Sequence, residues 1–215
     1  MSLEHQLQFD VSRCSLCRLA GQGYYCSPTF SPKTRFFLVL EAPDARACEE
    51  NNAWSSMSAS VLSRALGYAC GGLAGLHLTY LMKCYPKEAG REGRAMTQGL
   101  KRTCARTCAT TYLHQELTFL QPEKVLLFGE LCARLFMPDE DAPWEGRIGS
   151  SFPMPLYRSE GHLFESPSVI STRGGLRSQQ GRDYIQRLNA VLGGRLALPD
   201  PVDEAPSSMQ DWLGG

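Results

Sequence analysis

FFLVLEAPDARACEENNAW, Phe36 to Trp54, runs apolar for five residues and then turns abruptly polar. The first part has the unbroken apolar character of a strand covered on both faces, as in a parallel sheet. Glu41, Pro43, Asp44 and Trp54 follow at its carboxyl end. Open α/β sheets place their ligand sites there.

Working outward, Arg35 to Leu40 is the first expected strand and "LHLTYLMK" (Leu76–Lys83) the second. "EKVLLFG" (Glu123–Gly129) is the third and "PSVIST" (Pro167–Thr172) the fourth. Between them lie segments with helical spacing. "SASVLSRALGYA" has Ser58 or Ser60 as a candidate cap, and the longest segment runs from Thr97, its candidate cap, to Leu120. "ELCARLF" and "SQQGRDYIQRLNAVL" complete the set. Strands alternating with helices predict an α/β fold: a three-layer αβα sandwich around a four-stranded parallel sheet. The folded domain is expected over residues 1–193, with 194–215, rich in Pro, Asp and Ser, as a flexible acidic tail.

The 22 basic and 22 acidic residues cancel, but unevenly. After Arg195 come four acidic residues and no basic one, so the preceding body carries +4. Lys83 to Arg106 holds seven Lys/Arg, and Arg173 to Arg187 holds four Arg. Basic stripes of this kind suit a phosphate backbone, and equally a solvated helix face. No run of eighteen apolar residues appears, which argues against a membrane span. With no signal-like start, a cytoplasmic setting is expected.

Nine cysteines in such a chain point to metal or redox chemistry rather than disulfides. Cys14 and Cys17 form a CxxC, Cys84 follows the second strand, and Cys104 and Cys108 lie one turn apart on the long helix. Four thiolates from such a set suit a [4Fe–4S] cluster or, as the alternative, zinc. Cys48, Cys70 and Cys132 read as small core residues.

These motifs resemble the iron–sulfur branch of the uracil-DNA glycosylase superfamily, its families four and five. "CSLC", "LEAPDARACEENNAWSSMSA", "TYLMKCYP", "TCATTYLHQELTFLQPEKVLLFG" and "STRGGLRS" stand in that family's order between Cys14 and Leu192. The resemblance implies a cluster on Cys14, Cys17, Cys84 and Cys108, with Cys104 as the alternative to Cys108, pinning a DNA-facing loop. It implies Glu41 and Arg173 as catalytic residues, and Ala42, Asp44, Trp54 and Tyr80 around an extruded base, with Trp54 as the stacking platform. Lys83, Lys87, Arg173 and Arg177 would meet DNA.

The chain departs from the family pattern at three places. Tyr80 stands where an Asn reads uracil, and a phenol lacks the paired donor and acceptor of an amide. Thr172 and Arg173 replace the His-Pro of the last motif, and an Arg cannot shuttle a proton. Glycines of the first turn have become Leu40 and Asp44, and Ser56 and Ala59 replace later ones. The expected activity is therefore hydrolysis of the N-glycosidic bond of a modified or non-standard pyrimidine in DNA. The alternatives are group transfer onto a modified thymine, with Asp44, Glu49 and Arg173 holding the second substrate, or an inactive DNA-binding module. The acidic tail could dock a partner protein. A bacterial or phage-infected cell is the expected setting.

Overall fold

A computed structural model describes residues 10–20, 25–28, 34–71, 75–85, 97–137 and 143–200, together with Gln6. The chain divides into two compact units, Met1–Ser60 with Ala74–Glu165, and Val61–Leu73 with Ser166–Gly215.

The first unit carries the sheet. Its strands are β1 (Phe36–Leu40), β2 (Leu76–Tyr80), β3 (Lys124–Phe128), β4 (Ser151–Met154) and β5 (Ser159–Phe164). They lie in the order β2-β1-β3-β5-β4. β1 pairs in parallel with β2 and β3, β3 pairs in parallel with β5, and β4 closes the edge antiparallel to β5. The parallel core thus has its expected four strands, and a fifth makes the sheet mixed. Leu38, Leu78 and Leu126 are buried on one face and Phe37, Val39, Val125 and Leu127 on the other, so neither face meets water.

The helices are α1 (Ala45–Glu49), α2 (Met57–Cys70), α3 (Gln98–Cys108), α4 (His114–Leu120), α5 (Glu130–Phe136), α6 (Pro167–Thr172) and α7 (Gln179–Leu192). Thr97 caps α3 as expected, its hydroxyl accepting from the Leu100 amide. A π-helical segment, Ala109–Leu113, joins α3 to α4. Ala105, Leu113 and Leu117 from this composite helix, with Leu131 and Ala133 of α5, pack on Phe37, Val39, Val125 and Leu127. The cap of α2 is neither Ser58 nor Ser60: the Ser56 hydroxyl accepts from the Ala59 amide.

The expected fourth strand is corrected. Pro167–Thr172 is helix α6, with Pro167 in its first turn, where the missing N–H costs nothing. The fourth parallel strand is Ser159–Phe164, hidden in the sequence because its hairpin partner holds Pro153. Proline is tolerated there because β4 is an edge strand.

In the second unit, α7 buries Tyr184, Ile185 and Leu188. Gly181 lets it approach the preceding turn, since a Cβ there would stand 2.1 Å from the Gly175 carbonyl. Within the segment expected as a flexible tail, the Ala197 amide donates to the Tyr68 carbonyl at 2.7 Å, and Arg182 donates to the Pro199 carbonyl at 2.6 Å. Residues 201–215, including most of the acidic segment, lie outside the described residues.

Candidate functional site

The strand order creates a switch point. From β1 the chain crosses to β2 on one side, and β3 lies on the other, so the connections leave the carboxyl ends of β1 and β3 in opposite directions. The residues at this crevice are Glu41, directly after β1, and Gly129, directly after β3.

They are fitted to each other. Glu41 Oε1 accepts from the Leu131 amide at 2.8 Å, satisfying an orphan N–H in the first turn of α5. Gly129 has φ +98°, and a Cβ on it would lie 2.4 Å from Glu41 Oε1. The carboxyl group occupies the space that the missing side chain leaves. Burial pushes its pKa up from the ordinary 4.5, opposed by the Leu131 hydrogen bond, raised further by Glu130 and lowered by Lys101. Lys101 stands on α3. It was read only as one charge of a basic stripe, because nothing in its neighbours' spacing marks it.

The turn beyond Glu41 is tied at several points. Asp44 Oδ1 accepts from Ala47 at 3.0 Å, capping α1, and Oδ2 accepts from the Met57 amide at 2.8 Å. Asp44 thus fixes the loop between two helices, with both oxygens already engaged by backbone. Asn52 Oδ1 accepts from the Trp54 amide, and Asn51 Oδ1 from the Ser27 amide, each at 3.0 Å. Asn51 sits at φ +44°, a conformation asparagine tolerates better than most residues. The "NN" dipeptide was the available signal for this turn.

Trp54 is half-buried on a short 3₁₀ turn, Ala53–Ser55. Tyr80, expected against the base, has no exposed surface. Its hydroxyl donates to the Ala53 carbonyl at 2.7 Å. Tyr80 therefore supports the turn that presents Trp54, and its phenol is held well above its ordinary pKa, chiefly by burial. Ala42 is half-buried against the core.

Lys83, expected on DNA, is corrected. It is 1% exposed, its ammonium donating to Thr79 and paired with Glu116 on α4. His77 Nε2 lies 3.2 Å from the other Glu116 oxygen. An ammonium buried with its counter-ion cannot reach a phosphate in this conformation. Burial favours the neutral acid at Glu116, but Lys83 and His77 outweigh it and the pKa is lowered. Lys87 lies outside the described residues. Arg173 and Arg177 are exposed in the second unit, Arg173 at the C-cap of α6 and followed by Gly174 and Gly175 at positive φ.

All five candidate ligand cysteines belong to the first unit and are free thiols. The Cys84 thiol is pushed up to about 12, by burial first and then by Cys108, Cys17 and Cys14 in that order. Cys104 is raised to about 11 by burial, with Cys17 as its nearest influence. Cys108 itself is raised by burial first, opposed by Lys83 and raised further by Cys17 and Cys14. Among the described residues no three His, Cys, Asp or Glu side chains are grouped to hold a metal ion. Four thiolates are the donor chemistry of both a [4Fe–4S] cluster and structural zinc.

A family model for the uracil-DNA glycosylase superfamily matches residues 27–192. The chain belongs to this superfamily. The match begins beyond Cys14 and Cys17, and within it fall the switch-point crevice, the Trp54 turn and Arg173. No curated protein matches the chain. The superfamily's α/β fold is present as a mixed sheet of five mostly parallel strands with helices. Among the described residues no helix is long and apolar enough to cross a membrane.

Proposed function

We propose that the protein extrudes a modified or non-standard pyrimidine from DNA and hydrolyses its N-glycosidic bond. The observation that carries this reading is the segment leaving β1, which carries the part-buried Glu41 carboxyl group at the crevice with β3 and the half-exposed Trp54 on a turn braced by Asn52 and Tyr80. An extruded base needs an aromatic face to replace its lost stacking, and Trp54 offers one. Glu41 would act at the sugar. Its negative charge stabilises the cationic C1′ that develops as the bond breaks and its electron pair leaves on the base, and it orients the attacking water. Arg173 and Arg177 are assigned to DNA phosphates on the resemblance alone.

The choice of a base other than uracil follows from Tyr80. Its phenol is spent on the Ala53 carbonyl, so the position that would carry the uracil-reading amide has no polar edge to offer. Duplexes carrying a panel of modified pyrimidines, and uracil as a control, test this by alkali-labile strand cleavage. Abasic sites at a modified base and none at uracil are expected. A mass gain on the intact base would instead establish group transfer, and binding without either would leave an inactive module.

Cys14, Cys17, Cys84 and Cys108 would hold a [4Fe–4S] cluster. When bound it supplies cross-linking of the Cys14–Cys17 loop to β2 and α3, with no electron transfer to substrate. Protein purified without oxygen should show broad visible absorbance with matching iron and sulfide. Cys108→Ser should lose most of that absorbance while Cys104→Ser keeps it. The reverse pattern would move the fourth ligand to Cys104, and a colourless zinc protein would end the cluster assignment.

A further inference from the structure

The crevice lies at the carboxyl ends of β1 and β3, where an open α/β sheet holds its ligand. A second cavity, of about 750 Å³, lies at the amino end of β5 and within the first unit. Its walls are the end of α3 with the π-helical segment, the last residues of α5, and the turn from β4 into β5. β5 has six residues, and a strand of that length spans roughly 20 Å. Its far end, Phe164, is the residue that meets Gly129. The two sites are therefore separate.

The lining is mixed, as in small-molecule sites of this size. Phe136, Met154, Leu156 and Tyr157 supply apolar and aromatic surface. Arg106, exposed on α3, brings a permanent positive charge, and no carboxylate stands among the lining residues. His114 Nδ1 lies 3.2 Å from the Tyr157 hydroxyl. Burial raises the Tyr157 phenol, so it keeps its proton. With the phenol donating to Nδ1, the imidazole carries its own proton on Nε2 and keeps a donor there. A π-helical turn adds a residue to a helix, and such turns recur at functional sites. This one supplies Ala109 and Thr110 to the wall and delivers His114 directly after it.

We infer that this cavity binds a planar aromatic group carrying one anionic substituent, the chemistry of a nucleotide. Tyr157 and Phe136 give the planar group aromatic contact, and the Arg106 guanidinium takes the phosphate. The His114 Nε2–H meets a carbonyl on the ring edge. Aromatic surface beside a cation is how unpaired nucleotides are held without sequence preference. The inference does not depend on base extrusion at the crevice.

Calorimetric titration of the full chain with thymidine monophosphate, thymidine and a thymidylate hexamer tests the site and the source of its ligand. The monophosphate should bind, and thymidine about tenfold more weakly for want of the phosphate. Arg106→Gln should bring the monophosphate down to the affinity of thymidine, and Arg106→Lys should recover part of the loss. Tyr157→Leu should weaken both ligands. A hexamer that binds more tightly than the monophosphate, with the same response to Arg106→Gln, would assign the occupant to a strand. The reverse order would assign a free nucleotide. Binding lost in Trp54→Ala but kept in Arg106→Gln would put the nucleotide at the crevice and overturn the second site. A folded chain that binds none of the three would overturn it too, while the excision assay decides the crevice reading separately.

Discussion

Replacing Lys83 by Met will destabilise the protein by about 3–5 kcal/mol, the range seen when one partner of a buried ion pair is removed. The cost comes from what remains. Glu116 is fully buried, with His77 and Lys83 as its partners. Without the ammonium its charge is left in a medium that cannot solvate it. The signature is in the pH dependence as well as in the midpoint of urea unfolding. In the native protein Glu116 titrates below its ordinary 4.5, so its contribution is fully present above that pH and is lost as pH falls through the folded value. In Lys83→Met, burial acts unopposed by the ammonium and the folded pKa should rise above 4.5. The sign then reverses, and stability falls as pH rises through the new value. Lys83→Met with Glu116→Leu should recover much of the loss, because two apolar groups leave no charge stranded. If the single variant unfolds at the native midpoint, the pair is not a structural element.

Gly129→Ala should cost on the order of 2–5 kcal/mol by a different route. Part is backbone: at φ +98° an L-residue is strained by about 1–2 kcal/mol. The rest is displacement of Glu41, whose Oε1 would be 2.4 Å from the new Cβ. When the carboxyl group withdraws, the Leu131 amide loses its acceptor, which costs about 1–3 kcal/mol for a buried donor. Glu41→Ala removes the clash, so adding Gly129→Ala to it should cost only the backbone part. A double-mutant cycle in urea measures this coupling. Additive losses would show that Glu41 and Gly129 do not share the crevice. Base excision, once a substrate is found, should be lost in Gly129→Ala even at temperatures where the variant remains folded.

The strands that were legible share one property. Phe36–Leu40 and Lys124–Phe128 are short, nearly continuous apolar runs followed by Glu41 and Gly129, and Leu76–Tyr80, though it holds His77 and Thr79, is buried at every position. Burial on both faces writes that pattern directly into composition. Ser159–Phe164 lies beside the antiparallel edge, pairs with a proline-bearing strand and begins Ser-Glu-Gly, so its pattern is diluted. Pro167–Thr172 carries Val and Ile in the middle of a six-residue helix, too short for a helical period to appear.

Site residues divided in the same way. Glu41 and Trp54 are legible as candidates because they follow a strand end and match a motif. Tyr80 was noticed for its departure from that motif, yet its hydrogen bond to Ala53 reverses what it can do. Lys83 looked like one more surface cation and is 1% exposed. Side-chain direction decides both cases, and it depends on neighbours distant in sequence.

By itself, the sequence determined that this is an α/β protein with a polar turn at the carboxyl end of Phe36–Leu40, since burial on two faces leaves a local mark. It also determined the thiol inventory. Only the tertiary structure decided that Gly129 makes room for Glu41, that Glu116 confines Lys83, and that Asp44 anchors Met57 beside Trp54. Each of these joins segments separated in the chain, and such contacts arise only when the strands come into register.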